Sequence, residues 1–234
     1  MSSAVSTVSK DFFWGEVEKT KALYSPESAV IVQGKKIAEN AKSMQMEMFS
    51  ACNKTDHFAR RLFSSPPMRV LDLGAGSGIN TLPMAKSGAH VTAIDQSREL
   101  LMAFSKKSVT VRCPSENLRL RRGDMATMES YDGPFDLVVA IDILPYIPPT
   151  MLRSSMEKIQ KCLEDRGILI GTIFTTDDLP VMREFMGQLG ACFYENGSEF
   201  VTQLLQYSGF TVVELEARPE GGFRFKAEKT PIEK

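Results

Sequence analysis

The chain has 234 residues, of which 43% are hydrophobic and 24% charged. Its 16 glycines bring the apolar share to about half, the ordinary globular value, which excludes disorder, collagen-like repeats and coiled coil as the main architecture. With 28 basic and 29 acidic side chains the net charge is −1, so no global basic field exists to hold nucleic acid or an anionic membrane.

Cys52, Cys113, Cys162 and Cys192 lie far apart, with no CxxC pair, and the two histidines are His57 and His90. Neither pattern predicts a metal site. The start, MSSAVSTVSKDFFWGEVEK, lacks a basic segment followed by an apolar stretch, so no secretory signal is expected. No apolar run reaches the ~18 residues of a membrane span. The expected setting is cytoplasmic, with reduced thiols.

Residues 1–24 are polar with a few aromatics, among them Trp14 and Tyr24. Ser25-Pro26 reads as a helix start. Val30, Gly34, Ile37, Ala41, Met44 and Met48 then follow at steps of three and four, one face of an amphipathic helix. A second helical stretch, about Lys54–Phe63, ends at Ser64-Ser65-Pro66-Pro67. That boundary divides an N-terminal helical appendage, residues 1–65, from a domain of residues 66–234.

Beyond the prolines, strands and helices alternate. Strands are expected at Met68–Leu73, His90–Ile94, Leu118–Arg122, Phe135–Ile143 and Gly167–Phe174. Helices are expected at Asn80–Ser87, Arg98–Lys106, from Pro149 to about Leu163, and at Gly197–Ser208. Phe210–Ala217 and Phe223–Ala227 flank Pro219-Glu220-Gly221-Gly222, a hairpin signal. The order predicts an α/β fold: a doubly wound, mostly parallel seven-stranded sheet closed by a C-terminal antiparallel hairpin.

Such sheets bind ligands at the carboxyl ends of their strands. The loop there is VLDLGAGSG, in which Gly74, Gly76 and Gly78 allow a tight turn and close approach to a ligand. The dinucleotide fingerprint requires a glycine where Ile79 stands, and holds an anionic pyrophosphate. This loop has Asp72 before its first glycine and no Lys or Arg between Val70 and Ala85. Asp95, Asp124 and Asp142 follow at successive strand ends. Four carboxylates repel a diphosphate and suit a ligand with cationic groups. Asp95 lies about 20 residues past the first glycine, where ribose hydroxyls are accepted. Asp124 is suited to an exocyclic amine, with Met125 packing on the base.

VLDLGAGSG, VTAIDQS, RRGDMATM, FDLVVAIDILPYI and CLEDRGILIGTI, in this order, resemble the class I, Rossmann-like S-adenosylmethionine-dependent methyltransferases. The likeness spans residues 66 to about 227. It implies S-adenosylmethionine as cofactor, with Gly74 and Gly76 at its methionine part, Asp95 on the ribose and Asp124 on the adenine. It further implies that Asp72 orients the loop and the cofactor amine, that Gln96 lies beside the adenosine, and that Ala140 lies near the methionine end.

Methyl transfer needs an acceptor atom held in line with the breaking C–S bond. Asp142 and Tyr146, just after the fourth strand, are the candidate catalytic side chains; the Asn/Asp-Pro-Pro-Tyr motif of amine and amide methylases is absent there. A small-molecule acceptor is expected, since no nucleic-acid recognition module is visible. Lys106, Lys107, Arg112, Arg119, Arg121 and Arg122 read as a solvated face; a nucleic-acid or protein methylase using this stretch is the rival reading. A nicotinamide oxidoreductase is disfavoured by Ile79 and the carboxylates, and a non-catalytic protein that keeps the cofactor fold is a third possibility. Residues 12–63 and 177–196 are expected to form a lid over the acceptor site. Oligomeric state is not readable.

Overall fold

The computed structural model describes residues 11, 14, 66–175, 192, 194, 197–218 and 221–231. The expected helices at 25–48 and 54–63, with His57 and Tyr24, lie outside the described residues, as does most of the 177–196 segment.

The strands are β1 (Arg69–Leu73), β2 (His90–Asp95), β3 (Leu118–Arg122), β4 (Phe135–Ala140), β5 (Leu163–Ile173), β6 (Phe210–Ala217) and β7 (Phe223–Lys229). The helices between them are α1 (Thr81–Lys86), α2 (Arg98–Thr110), α3 (Pro149–Cys162) and α4 (Gly197–Tyr207). All seven strands join one sheet in the order β3-β2-β1-β4-β5-β7-β6. β1 to β5 pair in parallel, and β7 runs antiparallel to both β5 and β6. The doubly wound reading and its closing hairpin both hold.

Burial explains the sequence pattern. Central β1 and β4 are apolar on consecutive residues because both faces are covered. Val70, Val91, Leu137, Val139 and Ile170 pack with Met84 and Ala85 of α1 on one face. Leu71, Leu73, Val138, Leu169 and Ile173 belong with Leu152, Met156 and Ile159 of α3, and Val201, Leu204 and Leu205 of α4, to the cluster on the other. α2 contributes Phe104, which is fully buried against Ala93, Ala75 and Leu82.

Three boundaries differ from expectation by three residues or more. β4 stops at Ala140, because Asp142 takes φ +51 and Leu144–Tyr146 forms a 3-10 turn. Apolarity continues through Ile143 and Leu144, which pack as loop residues. β5 begins at Leu163, directly after α3, with a register shift between Phe135 and Leu137 and Arg166 at φ +61. α2 runs on to Thr110, beyond its expected end at Lys106.

Among the described residues, no helix is long and apolar enough to cross a membrane. Nor, among them, do three or more His, Cys, Asp or Glu side chains gather as a metal site would require.

Candidate active site

The chain reverses its strand order between β1 and β4, and in sheets of this kind ligands bind there, outside the strand carboxyl ends. Gly74, Gly76 and Gly78 link β1 to α1 at φ +70, +55 and +78, a region L side chains seldom enter. Their surroundings differ. A Cβ on Gly78 would lie 2.3 Å from the Phe104 ring, and one on Gly74 2.7 Å from Ile143. Those two glycines admit neighbouring parts of the protein. A Cβ on Gly76 would meet only the Gly74 carbonyl at 4.0 Å, so this glycine borders open space.

The loop is clamped by carboxylates. Asp95, at the end of β2, accepts from the Gly76 amide at 2.8 Å through Oδ2 and from the Ser97 amide at 2.8 Å through Oδ1. Each oxygen retains a lone pair for a further donor. Burial pushes the Asp95 pKa up, against the lowering effect of the two amides. Asp72, on β1, is buried and accepts from the Thr81 hydroxyl at the start of α1. Desolvation raises its pKa to about 7; the Thr81 hydrogen bond opposes this, and the nearby Asp95 charge adds to it. Asn80 precedes α1 without capping it, and its buried Oδ1 has no protein donor.

Asp124 is exposed after β3, where its Oδ1 takes the Ala126 amide at 2.9 Å. Met125 is buried beside it, and Gln96 is exposed after β2. Ala140 ends β4 fully buried, in register with Gly171 of β5.

Asp142 is held from two sides. Thr172 of β5 donates to its Oδ1 at 2.7 Å and receives the Asp142 amide at 2.6 Å. Arg218, after β6, donates to the same Oδ1 at 2.7 Å from a guanidinium that is almost wholly buried. Tyr146 follows on the 3-10 turn; burial, then the Asp142 charge, push its pKa well above the usual phenol value. Its hydroxyl stays protonated and is a hydrogen-bond donor rather than a base.

The fold therefore gathers Asp72, Gly74, Gly76, Asp95 and Asp124 along one edge, with Asp142 and Tyr146 at the end of β4. Thr81, Thr172 and Arg218 were not anticipated. Thr81 had a local signal, a hydroxyl opening the helix after the loop. Arg218 lies 76 residues from Asp142 and had none. Among the anticipated cations, Lys106, Lys107, Arg112, Arg119 and Arg122 are exposed, while Arg121 pairs with Asp132.

This donor set fits a ligand bearing an ammonium and hydroxyl groups. Open space lies at Gly76, whose amide is bonded to the Asp95 carboxylate, and an acceptor at Asn80 is unsatisfied. A diphosphate would meet these charges with no loop cation to offset them.

Comparison with known proteins agrees. Residues 70–167 match the model of a methyltransferase domain. The chain is 33% identical over 100 residues to the chloroplastic magnesium protoporphyrin IX methyltransferase of Arabidopsis thaliana, covering 43% of this chain and 31% of that protein. It is 36% identical over 96 residues to the ribosomal protein L11 methyltransferase of Desulfitobacterium hafniense, covering 41% and 29%. The chain thus spans about a third of the length of these relatives. The structure of magnesium protoporphyrin IX methyltransferase from Synechocystis PCC 6803 with bound S-adenosylmethionine aligns with a TM-score of 0.62 at 17% identity, over 93% of this chain and 90% of that one. Residues 70–167 thus match the methyltransferase-domain family, and the chain shares the fold of that solved methyltransferase structure.

Proposed function

We propose that the domain of residues 66–234 binds S-adenosylmethionine and transfers its methyl group to a small-molecule acceptor. The observation that carries this reading is the open space at Gly76, the one loop glycine that borders it, with the Asp95 carboxylate bonded to its amide. Two relatives named for small-molecule acceptors, the plant magnesium protoporphyrin enzyme and a ubiquinone biosynthesis O-methyltransferase of Maricaulis maris, support the acceptor class.

When bound, the cofactor supplies a methyl carbon made electrophilic by its sulfonium. The chain's own residues hold and orient. Asp95 accepts the ribose hydroxyls with the lone pairs its two amides leave over. Asp124 takes the adenine amine through Oδ2, with Met125 and Gln96 beside the base. Asp72 faces the ammonium, and Gly74, Gly78 and Ala140 complete the backbone wall at the methionine end. Asp142, fixed by Arg218 and Thr172, is a positioning residue for the loop that carries Tyr146. Tyr146 donates a hydrogen bond that orients the acceptor.

Residues 1–65 serve as a cap on this domain. Trp14 supports that reading: it is 2% exposed, with the Arg153 guanidinium of α3 5.8 Å from its ring centroid. A cytoplasmic setting accords with the free thiols of Cys113, Cys162 and Cys192.

The test is thermal melting with S-adenosylhomocysteine and with NADH. Only the first should raise the melting temperature, by mass action on the native state. Equal stabilisation by NADH overturns the reading. A protein acceptor is a second reading, favoured by the likeness to the ribosomal protein L11 methyltransferase. Incubation of a cell extract with methyl-labelled cofactor decides between them, as label enters either the small-molecule or the protein fraction.

A further inference from the structure

We propose that Lys158, on α3, is a positioning residue for cofactor binding: its ammonium fixes the shape of the Asp124–Met128 turn without touching the ligand. The inference rests on the reading of the crevice as a nucleoside-binding methyl-donor site.

An ammonium has three donors and no acceptor. Lys158 Nζ donates to Ala126 O at 2.8 Å, Met128 O at 2.8 Å and Met125 O at 3.2 Å. Three carbonyls from four consecutive residues converge on one cation because the turn curls on itself. The Thr127 and Met128 amides bond back to the Asp124 carbonyl at 3.2 and 2.9 Å, and the Ala126 amide bonds to the Asp124 side chain. The Tyr131 hydroxyl adds a donor to Met125 O at 2.7 Å, and its ring lies 5.8 Å from the ammonium.

Pointed at one place, the three carbonyl dipoles would repel each other. The cation removes that cost and makes this curl the stable one. The same curl sets the direction of the Asp124 carboxylate and the place of Met125, the two side chains assigned to the base. Lys158 lies 30–33 residues further along the chain and bonds the turn through its backbone carbonyls, while its charge also acts on the Asp124 carboxylate.

The experiment uses the full chain with Lys158→Met, which keeps the apolar stem and removes all donors, and Lys158→Gln, which keeps an amide donor. Calorimetric titration is done with S-adenosylhomocysteine and with 5′-methylthioadenosine, which shares the nucleoside but lacks the amino-acid end. Both ligands should weaken by about tenfold in Lys158→Met, and by less in Lys158→Gln. Hydrogen exchange of the unliganded variants should quicken at residues 125–128 and stay unchanged at 74–78. A folded Lys158→Met protein with a lower melting temperature and undiminished affinity makes the residue structural only and overturns the proposal. A loss confined to S-adenosylhomocysteine overturns it too, because the effect would then sit at the amino-acid end. If the wild type binds neither compound, the reading of the crevice fails first, and the inference with it.

Discussion

Two residues of the glycine loop and one buried carboxylate have separable roles at the scale of single side chains. Gly76 and Gly78 share a positive φ, yet one borders open space and the other the Phe104 ring. Gly78→Ala forces a Cβ into that ring in an unfavourable backbone region, at about 3 kcal/mol of stability. Gly76→Asn puts a side chain tolerant of this φ into the crevice. Denaturant titration should show the large loss for Gly78→Ala, and calorimetry should show lost S-adenosylhomocysteine binding in a near-native Gly76→Asn protein. Asp72 gives a pH signature. Its native pKa of about 7 lies above the unfolded value, so the native state holds a proton that the unfolded chain has released. Its contribution to unliganded stability is therefore largest below pH 4 and falls as pH rises to about 7. An ammonium beside Asp72 favours the ionised form, so affinity for S-adenosylhomocysteine should rise between about pH 5 and 7, with proton release near pH 6 in buffers of different ionisation heat. Asp72→Asn should flatten that rise and stabilise the unliganded protein more at pH 8 than at pH 5. A wild-type affinity that does not change with pH would separate Asp72 from the ligand.

At the scale of elements, local signals were legible and long-range ones were not. The loop, α1 and β2 follow from the loop glycines and from apolar runs that lie close together in the sequence. The end of β4 was misplaced because a buried loop and a buried strand are equally apolar; what divides them is the backbone turn at Asp142, which no hydrophobic pattern records. The sequence pattern places the start of β5 late, because Glu164, Asp165 and Arg166, which follow its buried first residue Leu163, are exposed and polar. The carboxylates themselves were readable as candidates. Their partners were not, since Arg218 reaches Asp142 only when β6 is laid two strands away from β5. That pair ties the β4 loop to the closing hairpin, and its strength can be tested. Arg218→Met leaves Asp142 with Thr172 alone and should lower stability by about 2 kcal/mol, a figure reduced because Asp142 is 23% exposed. Asp142→Asn added to Arg218→Met should recover part of it, which a double-mutant cycle by denaturant unfolding measures. Additive losses would show that the two groups are not coupled.

For the whole molecule, the question is what the N-terminal segment does for a sheet domain that carries Asp72, Asp95, Asp124 and Asp142. Trp14 answers in part. Its buried ring belongs to the same core cluster as Leu144 and Ile147, which flank Tyr146 on the β4 loop, and as Leu152 and Met156 of α3. The Arg153 guanidinium covers the ring, joining Trp14 to α3 by a cation–π contact. The same cluster also takes in Leu73, Ile94 and Met125 on the side proposed for the cofactor, but the Arg153 contact sets the Trp14 ring against α3, which follows directly on the loop proposed for the acceptor. Trp14→Ala should thus lower stability by about 3–5 kcal/mol, the range for emptying a buried aromatic site. Below the new melting point, S-adenosylhomocysteine affinity should stay within about twofold of wild type. Turnover with an identified acceptor should fall further than that, because the wall that positions the acceptor atom has lost its backing. Trp14→Phe, which refills most of the volume, should restore both. Equal loss of cofactor affinity and turnover in Trp14→Ala would instead make the segment a general support of the sheet, with no bias toward the acceptor side.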